Sequence, residues 1–302
     1  MITKTPIRGE ERRSFELHSN ARTAFSSYLR DSKHVAGDSV LLPAYIGWSA
    51  REGSGVFDPI AELGLKAEFY RLDGALRIDI DHLKRLIDRS AAKTLVIIHY
   101  FGYVDPGYET VIALARDAGL RIIEDEAHAM LSDLIGGACG RLGDACIYSL
   151  HKLLPVSSGG MLVRNRAADA EDGFQTFFNH DLAAISVKRR QNALALAGLV
   201  QDLEDEVKPL FDWALGDEVP QTFPVLLRRA NRNGVYKYMN DAGFGVVSLY
   251  HTMIAPINDG DFPEAVSLSR QILNLPVHQD ATANDMGALV NQLKDSLVRN
   301  RI

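Results

Sequence analysis

Thr94-Leu95-Val96-Ile97-Ile98-His99-Tyr100 stays apolar over Leu95-Val96-Ile97-Ile98 and then turns polar. A strand with one wet face alternates apolar and polar residues, whereas a strand covered by helices on both faces does not. Similar runs flank it at Val40-Leu42, Ala67-Leu72, Arg121-Glu124, Ala145-Leu150 and Met161-Val163. Helical spacing lies between them. Asp79-Asp88 puts Ile80, Leu83 and Ile87 on one face, and Tyr108-Asp117 does the same with Val111, Ile112 and Ala115 before Gly119 ends it. Strands alternating with helices of this length predict an α/β fold with a mainly parallel sheet flanked by helices.

The pattern changes after Asn165. Arg166-Asp172 reads as a connection, a long helix follows near Leu182-Leu203, and the rest alternates strand (Phe223-Leu227), helix (Gly234-Ala242), strand (Val246-Tyr250) and two helices (Pro263-Leu273, Ala283-Val298). We therefore expect a large α/β domain over residues 1–178. A smaller α+β domain over 179–302 would include the long connecting helix.

Composition narrows the function. The chain has 302 residues, 46% hydrophobic and 24% charged, which suits a globular fold. Its 33 basic and 39 acidic residues leave a net charge of -6 with no long basic run, which argues against nucleic-acid binding. No stretch approaches the ~18 apolar residues of a membrane span. Met1-Arg13 lacks the apolar segment of a secretory signal, and Cys139 and Cys146 match no redox or zinc spacing, so a reducing, cytoplasmic setting is expected.

Ligands of open α/β sheets sit beyond the carboxyl ends of the strands. Three polar clusters fall at such ends: His99-Tyr100-Phe101-Gly102, Glu124-Asp125-Glu126-Ala127-His128 and Ser149-Leu150-His151-Lys152. Taken singly, each is what any strand leaving a core would show. Glu124, Asp125, Glu126 and His128 lack a second histidine at helical spacing, so no metal is expected. Ser149 lies outside a Gly-x-Ser-x-Gly elbow, and neither a Gly-x-Gly-x-x-Gly fingerprint nor a P-loop is present.

Read in order, Arg121-Ala129, Gly140-Lys152 and Gly159-Gly160-Met161-Leu162-Val163 resemble the DegT/DnrJ/EryC1/StrS family of pyridoxal-phosphate (PLP) sugar aminotransferases. Ser19-Ala24, Leu42-Tyr45, His99-Gly102 and Leu275-His278 agree with that order. The resemblance implies the PLP-dependent transferase fold type I and PLP as cofactor. It assigns Lys152 to the Schiff base and to proton transfer, and Asp125 to the pyridine nitrogen. His128 would pack on or near the ring, Ser149 would bind the phosphate, and Ala21 and Arg22 would add backbone N–H groups and charge at a helix N-terminus. Trp48 or Tyr45 would stack on the ring. The implied reaction moves an amino group from glutamate to a keto sugar, most simply one linked to a nucleotide, in polysaccharide or secondary-metabolite synthesis by a homodimer.

Departures keep alternatives open. Ser149 and Lys152 stand closer than in most members, and His151 occupies the position beside the lysine. The segment after Asn165 lacks the family's Asn-x-Arg-Met loop, and Asn179 is not assigned to replace it. A dehydratase, an aminotransferase for a non-sugar ketone, or a non-catalytic PLP-fold binding or regulatory protein therefore remains. His251 and His278 fall near expected substrate-side segments, with packing as the simpler reading.

Overall fold

The structure is a computed structural model that describes residues 13–165, 180–211 and 216–302. The first sheet contains β1 (Ser14–His18), β2 (Ser39–Pro43), β3 (Lys66–Tyr70), β4 (Thr94–Ile98), β5 (Arg121–Asp125), β6 (Ala145–Ser149) and β7 (Gly160–Arg164). Their spatial order is β1-β7-β6-β5-β4-β2-β3. β3, β2, β4, β5 and β6 run parallel, while β7 is antiparallel to both β6 and β1. The parallel part therefore delivers the ends of β4, β5 and β6 to one edge. Leu95, Val96 and Ile97 are buried, as the unbroken apolar run predicts.

Helices α1 (Ala21–Asp31), α2 (Phe57–Glu62), α3 (Ile80–Arg89) and α4 (Tyr108–Asp117) connect the strands. Asn20 caps α1 by accepting from the Thr23 N–H at 2.9 Å, and Asp79 caps α3 through the His82 N–H. Ala24, Phe25, Tyr28 and Leu29 form the buried face of α1. Gly119 follows α4 at φ +69°, a conformation that ends a helix cheaply only with glycine.

The C-terminal half contributes α5 (Leu182–Leu199), β8 (Val207–Pro209), β9 (Thr222–Leu227), α6 (Arg232–Asp241), α7 (Pro263–Gln271), β10 (Ile272–Pro276) and α8 (Ala283–Arg299). A second sheet, β10-β9-β8, is antiparallel and has its own core. Ile254, Ile257, Leu268 and Ile272 nevertheless join the core of the first sheet, so the two halves share packing. The expected boundary at 178/179, like the whole Arg166-Asp172 connection and Asn179 itself, lies outside the described residues.

Three expectations need correction. β1 was not anticipated, since five half-exposed residues pair only with β7 at the sheet edge. Val246-Tyr250 is not a strand: Gly243, Gly245 and Tyr250 all have positive φ, and only Val247 bridges to Asn274. The helix expected to reach Leu273 stops at Gln271, and Ile272 begins β10, where consecutive apolar residues pair with β9.

Behind the strand ends lies a dense ionisable cluster. Glu124 accepts from the His99 Nε2–H (2.8 Å), the Tyr108 hydroxyl (2.7 Å) and the N–H groups of Gly140 and Gly143 (2.9 and 2.7 Å). Burial pushes its pKa up, but these donors outweigh burial and hold it below the ordinary value. Arg13 instead grips Asp133 at 2.9 and 2.5 Å. Glu126 is fully buried and neither of its oxygens accepts a hydrogen bond. Burial first, then the Asp133 charge, pushes its pKa well above the usual range, so it is a neutral acid. Gly140, at φ +79°, leaves room for this pair: a Cβ there would lie 2.2 Å from oxygens of both Glu126 and Asp133.

A carboxyl whose pKa is raised by folding stabilises below its unfolded pKa, and that contribution is lost as pH rises toward the folded value. Glu126→Gln removes the dependence while conserving shape. Thermal melts should show the variant matching the wild type near pH 4 and gaining on it as pH rises, by up to about 1.4 kcal/mol per pH unit. Parallel pH profiles would show Glu126 ionised in the fold.

Candidate active site

Asp125 ends β5, and its Oδ1 accepts the Ala127 N–H at 2.9 Å, turning the chain sharply out of the sheet. Three residues beyond Asp125, His128 is buried against Phe101, their rings stacked at 5.7 Å. β6 ends at Ser149 and passes into a single 3₁₀ turn, Leu150–Lys152, fastened by the Leu150 N–H to Gly159 O at 3.0 Å. That turn aims Lys152 back across the end of β5. Its Nζ lies 3.0 Å from His128 Nε2.

The hydrogen bonds fix the protonation of this pair. His128 Nδ1 accepts the Phe101 N–H at 3.3 Å, so Nδ1 carries no proton. With the imidazole proton then on Nε2, that N–H faces Lys152 Nζ and favours the amine over the ammonium form. The surroundings agree. Burial lowers the Lys152 pKa, with Asp125 and then Glu52 opposing, and burial followed by the Lys152 charge lowers that of His128 well below the ordinary value. Burial raises the Asp125 pKa, against the Lys152 charge and the Ala127 N–H. Lys152 is thus an amine whose ammonium form burial disfavours, beside a carboxyl group, in a recess of about 250 Å³.

Lys152, Asp125, His128, Ala21 and Trp48 all line that recess, as does His251. Trp48 stands at the wall 43% exposed, whereas Tyr45 is fully buried in the core and outside the lining. Ser149 is buried behind the lining with Oγ 3.5 Å from His151 Nδ1. Arg22 is not part of the lining: it donates to the Glu52 carbonyl and lies 3.5 Å from Asp58, tying down the loop before α2. His278 is exposed and away from the recess. Sequence reasoning missed Tyr250 and Ser248, which enter from the C-terminal half, and the Gly53-Ser54-Gly55 stretch that walls one side.

A profile described as the DegT/DnrJ/EryC1/StrS aminotransferase family matches residues 18–184, more than half of the chain. The chain belongs to this family. It is 37% identical over 139 residues to a dTDP-4-dehydro-2,3,6-trideoxy-D-glucose 4-aminotransferase of Saccharopolyspora spinosa, in a match that covers 45% of the chain and 33% of that relative. The match thus spans about a third of the relative's length. Aminotransferase TlmJ from Streptoalloteichus hindustanus superposes with a TM-score of 0.73 at 20% identity, over 95% of this chain and 86% of that one. A GDP-4-keto-6-deoxy-D-mannose-3-dehydratase of E. coli, solved with bound hydrated PLP, gives 0.73 at 15% identity over 92% and 87%. These two likenesses confirm fold type I.

PLP is the cofactor of the DegT/DnrJ/EryC1/StrS family, and the donor set here fits it. The recess offers an amine with a free lone pair, a carboxyl group, and the start of α1, where Ala21 is in the wall. Gly160 brings β7 against that helix start so closely that a Cβ would lie 2.1 Å from the Asn20 carbonyl carbon. Uncommitted N–H groups at a helix N-terminus suit a phosphate.

An amine whose pKa is lowered in the fold forfeits a proton that the unfolded chain binds, so its burial costs stability at neutral pH and ceases to cost above the ordinary lysine range of about 10.4. Lys152→Met should raise the melting temperature of the cofactor-free protein by a few degrees at pH 7. The gain should shrink steadily as pH approaches 10. An unchanged or lower melting point at pH 7 would show Lys152 protonated.

Proposed function

We propose that the chain is a PLP-dependent aminotransferase that takes an amino group from glutamate and passes it to a keto sugar carried on a nucleotide. The observation that carries the reading is the buried Lys152 amine, 3.0 Å from His128 and lining one recess with Asp125 at the carboxyl end of a parallel sheet. The sugar substrate is supported by the name of the Saccharopolyspora spinosa relative, which acts on a dTDP-linked keto sugar. The donor, the nucleotide, a homodimeric state, a cytoplasmic setting and a place in polysaccharide or secondary-metabolite synthesis extend the same reading.

PLP, when bound, supplies a ring that accepts electrons from a substrate carbon. The residues have separate tasks. Lys152 Nζ would hold the cofactor through its lone pair and, when not so engaged, would serve as the base that accepts and releases a proton inside the recess. His128, hydrogen-bonded to that nitrogen, would keep it oriented toward the recess. The Asp125 carboxylate would hold a proton on the ring nitrogen. N–H groups of Ala21 and Arg22 at the start of α1 would take the phosphate. Phe25, Ile46, Val56, Val96 and Ile147 exclude water from the far wall, which strengthens each charge contact made inside.

Borohydride reduction of PLP-loaded protein followed by peptide mass mapping should place the cofactor on Lys152. Lys152→Ala should stay folded and lose glutamate-dependent conversion of bound PLP to its pyridoxamine form by at least about a hundredfold. Attachment to another lysine, or retained conversion, refutes the assignment. Product analysis with a keto-sugar nucleotide separates amination from dehydration.

A further inference from the structure

Among the described residues no arginine lines the recess, yet one stands directly behind its C-terminal wall. Arg232 opens α6, where Asn231 caps the helix by accepting the Gly234 N–H at 3.0 Å, and its side chain is buried. Its Nη1–H donates to Ser248 Oγ at 2.9 Å. Its Nη2–H donates to the Ser269 carbonyl, in the last turn of α7, at 3.3 Å. Nε has no acceptor, and no carboxylate of a described residue pairs with the guanidinium. The titratable groups that face it are the phenols of Tyr45 and Tyr236. A guanidinium keeps its charge, so this is a buried cation without its anion, a costly arrangement until an anion completes it.

Ser248 carries that charge to the recess. A guanidinium only donates, so Ser248 Oγ accepts from it and the hydroxyl hydrogen points elsewhere. No described residue accepts that hydrogen, and Ser248 lines the recess, so it is free for an oxygen brought by a ligand. A hydroxyl that accepts from a cation is also a stronger donor. The backbone around it is fixed. Val247 and Asn274 exchange N–H···O bonds at 3.0 and 2.8 Å, and the His251 Nδ1–H donates to the Ser248 carbonyl. Tyr250, at φ +61°, packs on Gly47, where a Cβ would touch its ring at 3.0 Å. The Trp48 N–H reaches Thr252 O at 2.9 Å.

Of the two proposed substrates, only the amino donor brings a carboxylate next to its reacting carbon. The keto sugar brings hydroxyls there and keeps its negative charge on the nucleotide phosphates. We propose that Ser248 binds a carboxylate of the amino donor, and that Arg232 is the positioning residue that turns the serine hydroxyl into the recess and sets a positive charge behind it. This deepens the aminotransferase reading above and rests on it.

The test uses the full chain loaded with PLP, following bound PLP to its pyridoxamine form with glutamate and back with a keto-sugar nucleotide. Ser248→Ala should raise the glutamate concentration for half-maximal rate about tenfold, as expected for losing a hydrogen bond to a charged group. PLP affinity, the maximal rate with glutamate and half-saturation by the keto-sugar nucleotide should stay within about twofold of wild type. Ser248→Thr, which keeps the hydroxyl, should restore glutamate half-saturation. Arg232→Met should raise it as Ser248→Ala does, and the double variant should do little more than either single one, since the two act as a unit. Wild-type glutamate half-saturation in Ser248→Ala overturns the inference, as does an equal rise for the keto-sugar nucleotide. Both results leave the aminotransferase reading intact. Wild-type protein that binds PLP yet never converts it with glutamate overturns that reading, and this inference with it.

Discussion

A lysine amine held out of water beside a carboxyl group, where burial disfavours its ammonium form, is the constraint to which the rest of this structure answers. A lysine in the open holds its proton at neutral pH and makes a poor nucleophile. Stripping water from Lys152 disfavours the ammonium, and His128, itself committed to the Phe101 N–H, can only donate to the nitrogen. The arrangement works against stability, because the unfolded chain would regain the proton. It persists because β5 and β6 are parallel neighbours whose carboxyl ends open at the same edge.

Four acidic groups in that neighbourhood meet the same desolvation problem in different ways. Glu124 stays ionised on four donors, two of them backbone N–H groups of the Gly140–Gly143 turn. Asp133 is paired by Arg13 and also accepts the Tyr148 hydroxyl at 2.6 Å. Glu126 takes the remaining route and keeps its proton. Among the carboxyl groups that accept hydrogen bonds, Asp125 has the fewest partners, one backbone donor and a nearby amine. A structural carboxylate needs saturation, as at Glu124. A functional one is left with bonding capacity for a ligand, so the sparse surroundings of Asp125 are what separate it from its neighbours in sequence.

The parts of this site that could be read from sequence are those that strand direction dictates. Asp125 and Lys152 each follow an apolar run by a residue or a short turn, so a parallel sheet must bring them to one edge, and the ordered motifs added the chemistry. The loss of a strand at Val246-Tyr250 has a different origin. Its apolar residues suit a strand, but Gly243 and Gly245 turn the backbone, and the position of Tyr250 depends on a loop some two hundred residues earlier. The Arg13–Asp133 pair, separated by 120 positions, left no local trace either. Arg22 shows the limit of local inference, since its place at a helix start suggested phosphate while Asp58 and the Glu52 carbonyl compete for its guanidinium.

The recess is therefore a joint product of both halves of the chain. One wall is the rigid sheet edge with Asp125, His128 and Lys152; the facing wall is the Gly47–Val56 loop and the Ser248–His251 segment, held together by the hydrogen bonds at Trp48 and Ile254. Arg22 braces this loop from the start of α1, where the phosphate is expected. Charge arriving at that helix start would compete with Asp58 for the same guanidinium, and any shift of Arg22 would be felt by the loop to which the Tyr250 segment is stitched. Cofactor anchoring and the shape of the substrate side are thus joined through three residues, Arg22, Gly47 and Tyr250. The reactive amine is reached by the same segment, since Lys152 contacts His128 and the His128 ring packs against Tyr250.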